Sequence, residues 1–170
     1  MLGCKKGFHL QVRHNMSDTV DRRFTVTDLE GFIARALTSV GLPAQDAADC
    51  GRLMVASDLA GFHTHGIFRL SQYIKRIRAG GINVRPTIVT AAEAPATAAV
   101  DGDNGMGHLV AEYATNLAIA KAQEAGCAWV GARQSNHAGA AATYVSMVAD
   151  AGMIALYGTN GSANHMAPWG

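Results

Sequence analysis

Thr64-His65-Gly66-Ile67-Phe68-Arg69-Leu70-Ser71-Gln72-Tyr73 carries two patterns at once. At about 100° per residue, a helix through this stretch puts His65, Arg69 and Tyr73 within one quadrant. Ile67, Leu70, Ile74 and Ile77 collect on a separate stripe, the spacing of a face meant for burial. The spacing predicts a helix packed on one side, with an imidazole, a guanidinium and a phenol in a row on the neighbouring side. Such a trio suits a small organic acid: Arg69 for the carboxylate, His65 and Tyr73 for the oxygens beside it. The same triplet also fits an ordinary solvated helix face, so the pattern alone leaves both readings open.

Working outward to the N-terminus, Thr27-Asp28-Leu29-Glu30 has the form of a capping box opening a helix. Leu29, Phe32, Ile33, Ala36, Leu37 and Val40 fall on one face of it, and Gly41 is placed to end it. Pro43 fits the first turn of a second helix running to about Ala60. Gly61 interrupts before the His65 helix, which ends at Gly80-Gly81. Residues 16–82 thus read as a helical region. Residues 1–15 have no amphipathic period and are expected to be a disordered extension, with Met16 as the natural start.

Beyond Pro86 the texture changes. Thr87-Ile88-Val89-Thr90 and Ala98-Ala99-Val100 read as short strands separated by a loop containing Pro95. Residues 101–107 read as a turn-rich stretch, with Gly102, Gly105 and Gly107 as turn glycines rather than a GxGxxG fingerprint. A helix over about 108–125 is stopped by Gly126. A buried strand over 127–132, a helix over 138–151 and a second strand over 153–157 have the spacing of a parallel crossover unit.

Composition narrows the field. Fourteen basic and thirteen acidic residues leave a net charge of +1 in 170 residues, not the basic field of a nucleic-acid binder. No apolar run reaches the roughly 20 residues that span a membrane, and nothing resembles a secretory signal. Cys4, Cys50 and Cys127 are odd in number and lack CxxC spacing, so they read as reduced thiols, and the expected location is cytoplasmic. Cys127, in an apolar run, reads as a small core residue.

A second chemical group stands at Gln134-Ser135-Asn136-His137-Ala138-Gly139, between an expected strand and helix. Active groups gather at the carboxyl ends of strands, and a histidine there can exchange the proton of a hydroxyl. It can equally cap a helix or bond a backbone carbonyl. His63 and His65 form an HxH pair that, with Asp58 or His137, is also a zinc-hydrolase option. On a helix residues two apart diverge by about 200°, which argues against joint ligation, so no metal site is expected.

Four ordered blocks resolve the choice. SDLAGFHTHGIFRLSQYIKRIRAGGI, VDGDNGMGHLVA, VGARQSNHAGAAATYVSMVADAGMIALYGTNGS and the terminal APWG resemble the malate/L-lactate dehydrogenase family over residues 24–170. That family is distinct from the Rossmann-type lactate and malate dehydrogenases, and includes ureidoglycolate, sulfolactate and diketogulonate dehydrogenases and an imine-reducing branch. The resemblance implies an α/β fold: the helical region 16–82 on the substrate side, then an incomplete three-layer α/β/α NAD(P)-binding domain of the sulfolactate dehydrogenase type over 83–170. It implies an oxidoreductase moving hydride between NAD or NADP and a small 2-hydroxy acid.

The resemblance also assigns roles. His137 matches the proton acceptor, and His65, Arg69 and Tyr73 match substrate contacts, with His65 also a catalytic candidate. Thr64 stands where the family has serine, keeping a hydroxyl but adding a methyl. Asn160, Gly161 and Ser162 match early cofactor contacts, though as a bare pattern they form a turn. A homodimer and a small carboxylate substrate are implied, with no nucleic-acid or membrane partner. Family members are longer, so the chain is expected to be an N-terminal fragment, a poor cofactor binder with little activity alone. Imine reduction, or a noncatalytic interaction module, are the alternatives.

Overall fold

A computed structural model describes residues 23–160. Cys4, the expected extension 1–15, Met16, Gly161, Ser162 and the terminal Ala167-Pro168-Trp169-Gly170 lie outside the described residues. The order is three helices, a hairpin, a helix, a strand and a helix.

Helix α1 is Val26–Thr38. Its cap is Thr25, two residues before the expected box: the Thr25 hydroxyl oxygen accepts the Asp28 N–H at 3.1 Å and donates to the Asp28 carboxylate at 2.7 Å. The exchange resembles a capping box, with aspartate in the glutamate's place. Ile33 and Leu37 are fully buried, but Phe32 is exposed, since the packed stripe is narrower than the apolar one. Pro43 is the N-cap of α2, Ala44–Leu59, which lies along α1. Cys50 and Met54 meet Ile33 and Leu37 there, and burial pushes the Cys50 thiol up, leaving it an inert core group.

The expected continuous helix from Thr64 is broken. Two short 3₁₀ turns, His63–His65 and Ile67–Arg69, flank Gly66, and α3 proper is Leu70–Arg78. Gly66 has φ −93° and ψ −138°, outside the helical region. A side chain there would overlap the Asp58 carboxyl group, which accepts the Ile67 N–H at 2.8 Å. Tyr73 is also not on an exposed row. Three residues after Leu70 and four before Ile77, it shares their buried face and is 2% exposed.

Strands β1 (Val89–Ala94) and β2 (Thr97–Gly105) form an antiparallel hairpin that turns at Pro95-Ala96. Strand β2 runs through Asp101 to Gly105, where a turn-rich loop was expected, and the turn character survives as a break at Asp103 and Asn104, both with positive φ. Its Ala98, Val100 and Gly102 are buried in alternation and face helix α4, Gly107–Ala125. Gly102 is a packing glycine, not a turn glycine: a Cβ there would sit 2.7 Å from the Gln134 carbonyl oxygen and from Val110. Gly126, at φ +82°, ends α4 as expected.

Strand β3, Trp129–Ser135, pairs in parallel with β2, Ala98 opposite Val130 and Val100 opposite Ala132. The crossover unit is therefore β2–α4–β3, one step earlier than expected. Helix α5 is Ala141–Asp150. Residues 153–157 form no strand among the described residues, and Ile154 and Leu156 are over 90% exposed. Strand β3 is an edge, with Trp129 72% exposed and Cys127 exposed, so the buried strand and core cysteine expected there are not found. Among the described residues, one face of the sheet carries α4 and the alternate residues of the other face are uncovered, an incomplete layered α/β fold. No described helix is long and apolar enough to cross a membrane.

Candidate active site

The break at Gly66 turns His65 toward the loop between β3 and α5, where His137 lies. The two imidazoles stack with centroids 5.5 Å apart and planes at 25°. From α3, the buried phenol of Tyr73 brings its hydroxyl to 2.7 Å from His137 Nδ1. The Gly139 N–H also points at that nitrogen, at 3.3 Å. A backbone amide can only donate, so Nδ1 is the acceptor and the phenol donates to it. Burial pushes the Tyr73 hydroxyl pKa up, which keeps that proton in place. With Nδ1 accepting, the ring proton of His137 is on Nε2.

Arg69 completes the group from the last 3₁₀ turn. Its Nε donates to the Thr64 carbonyl at 2.8 Å and its Nη1 to Gln72 Oε1 at 2.9 Å, so the half-buried guanidinium is oriented. Thr64 Oγ1 is 2.8 Å from His65 Nδ1. Burial and then the Arg69 charge hold the His65 ring below the ordinary histidine range, so His65 is neutral at physiological pH. The arrangement can do two things: a fixed cation receives a carboxylate, and two imidazoles with a phenol exchange hydrogen bonds and a proton with an oxygen.

Three supporting residues escaped the sequence reading. Asn136 Nδ2 donates to the carbonyls of Asn104 (2.9 Å) and Gly105 (2.9 Å) and to Asn104 Oδ1 (3.0 Å), while its Oδ1 accepts from Arg76 Nη2 at 3.1 Å. It ties the His137 loop to the end of β2 and to α3. Gly107 allows a close approach: a Cβ there would lie 2.5 Å from the His137 carbonyl carbon. His108, in the first turn of α4, is buried beside Tyr73, their rings edge to face at 5.4 Å. In the sequence, Gly107 reads as a turn glycine and His108 only as the first residue of a helix.

Of the expected cofactor contacts, only Asn160 is among the described residues. A dinucleotide needs amides or cations converging on its pyrophosphate. Thr159 and Asn160 are exposed at the end of the unpaired segment, and Gly158 has no atom within 4 Å of its Cβ position. Gly161 and Ser162 lie outside the described residues. No group of three or more His, Cys, Asp or Glu among the described residues comes together to hold a metal; His63 instead lies 3.5 Å from Asp58.

The malate/L-lactate dehydrogenase family model matches residues 24–170. A malate dehydrogenase of Pyrococcus horikoshii is 42% identical over 84% of this chain and 39% of its own length. A ureidoglycolate dehydrogenase (NAD(+)) of Escherichia coli is 34% identical over 75% of this chain and 37% of its own. A solved structure of Pyrococcus horikoshii malate dehydrogenase superposes with TM-score 0.74 at 41% identity, over 78% of this chain and 38% of that one. The chain thus spans about two fifths of the length of the relatives it matches.

Proposed function

The chain belongs to the malate/L-lactate dehydrogenase family, and we propose that it supplies the acid-binding and proton-handling side of an oxidoreductase acting on small 2-hydroxy acids. One observation carries the reading: Tyr73 Oη and His137 Nδ1, 64 residues apart in sequence, meet at 2.7 Å, with the His65 ring stacked on His137. A structural histidine in a surface loop has no need of a buried phenol.

The substrate carboxylate docks on Arg69, whose fork is already aimed by Thr64 and Gln72. In reduction of a 2-oxo acid, His137 Nε2–H donates to the carbonyl oxygen and passes it the proton as Nδ1 takes up the Tyr73 proton; oxidation runs the same relay backwards, the hydroxyl proton going to Nε2 while Nδ1 returns its proton to the Tyr73 oxygen. Neutral His65 holds the same oxygen or the acid group. NAD or NADP supplies the hydride chemistry when bound. A homodimer and a cytoplasmic location belong to the same proposal.

Titrating L-malate, L-lactate, sulfolactate and ureidoglycolate into isotope-labelled protein tests the site without needing turnover. At least one is expected to shift the His65, Arg69 and His137 side-chain signals saturably, and Arg69→Ala should abolish the response. No response to any 2-hydroxy or 2-oxo acid overturns the reading.

A further inference from the structure

His108 is 1% exposed, and neither ring nitrogen has a hydrogen-bond partner among the described residues. Desolvation, followed by the nearby His137, lowers its pKa to about 3, so it is neutral. A leucine or phenylalanine would fill this space without stranding two polar atoms. The neighbours of the ring account for the imidazole. Its edge-to-face partner is Tyr73, at 5.4 Å and 87°. Its Nε2 lies 2.8 Å from the Cβ position of Gly139, a glycine at φ +80° whose bare backbone allows the approach. Tyr73 Oη and Gly139 N–H are the two donors to His137 Nδ1. One buried ring therefore lies against both.

We propose that His108 is a positioning residue that holds Tyr73 and Gly139 so that both donors converge on His137 Nδ1, fixing the tautomer and orientation of that ring. The preceding residue contributes to the same floor, since Gly107 packs directly under the Asn136–His137 backbone. The relevance to catalysis rests on the proton-handling role given to His137 above; the geometric claim concerns the state of one ring.

Long-range proton–nitrogen spectra of the histidine rings in the labelled chain read that state directly. The wild type should show His137 as one dominant tautomer, bare at Nδ1 and protonated at Nε2. His108→Leu should move the Nδ1 signal toward a tautomer mixture, and His108→Phe, which keeps a ring edge against Tyr73, should restore part of the bias. If His108→Leu does not fold, Gly139→Ala, which drives a methyl into the Nε2 contact, should produce the same displacement. An equal mixture in the wild type overturns the proposal, as does an unchanged Nδ1 signal in a folded variant. A displaced tautomer without any response to 2-hydroxy acids keeps the role of His108 and removes the function proposed above. A response to the acids with an unmoved tautomer does the reverse.

Discussion

The Asp58 carboxylate fills the space in which a side chain on residue 66 would begin, and it accepts the Ile67 N–H at 2.8 Å. This contact between α2 and Gly66 breaks the His63–Arg78 run, caps its second part, and leaves His65 facing His137 rather than lying in line with Arg69 and Tyr73. Gly66→Ala is therefore expected to displace Asp58 and cost about 1–3 kcal/mol of stability. It should also separate the stacked imidazoles. Urea unfolding with the same midpoint as the wild type would contradict this.

Tyr73→Phe keeps the buried ring and deletes the donor to His137. Stability should change by only about 1 kcal/mol, because the removed group takes one hydrogen bond with it. In the enzyme reading, turnover should fall by about 10²-fold while KM changes little, since the phenol steers the proton and not the carboxylate. Steady-state kinetics on the best 2-hydroxy acid separate the two parameters.

Acid should weaken the fold through His108. Its folded pKa is lowered to about 3 from an ordinary value of 6.5. Below pH 6.5 the unfolded chain takes up a proton that the folded chain refuses, so stability falls as pH drops toward 3 and is fully present above 6.5. The slope within that window is about 1.4 kcal/mol per pH unit for one group. In His108→Phe that component should vanish. Unfolding free energies at pH 7 and pH 4.5 for both proteins supply the comparison.

The Asn136 amide donates to three acceptors on Asn104 and Gly105. Asn136→Ala should loosen the His137 loop, costing about 1–2 kcal/mol and speeding amide exchange over residues 136–139. Asn136→Asp should be no better, because it faces a carboxylate oxygen toward the same carbonyls even with Arg76 alongside. Equal exchange rates in the wild type and Asn136→Ala would remove the clamp from the account.

Where an element's limits depend on its own residues, they were legible in the chain. The face of α1 around Ile33 and Leu37, the start of α2 at Pro43, the stop of α4 at Gly126 and the end of α3 before Gly80 all follow from local periodicity and caps. The ordered motif blocks likewise pointed to the family, and to His65, Arg69, Tyr73 and His137 as candidates. What the chain alone did not yield was set by contacts between distant segments. The helix breaks at Gly66 because Asp58 of α2 needs the space, and β2 reaches Gly105 because Asp101 and Gly105 pair with Arg133 and Ser135 of β3 on either side of an irregular break. Residues 153–157 are strand-like in composition yet unpaired among the described residues, since a strand needs an edge to bond to. Tyr73, His108 and Gly139 converge on one nitrogen of His137 only once α3, α4 and the β3–α5 loop have packed. Short-range preferences fix the pieces, whereas burial, close approach and the ring tautomer depend on which pieces meet.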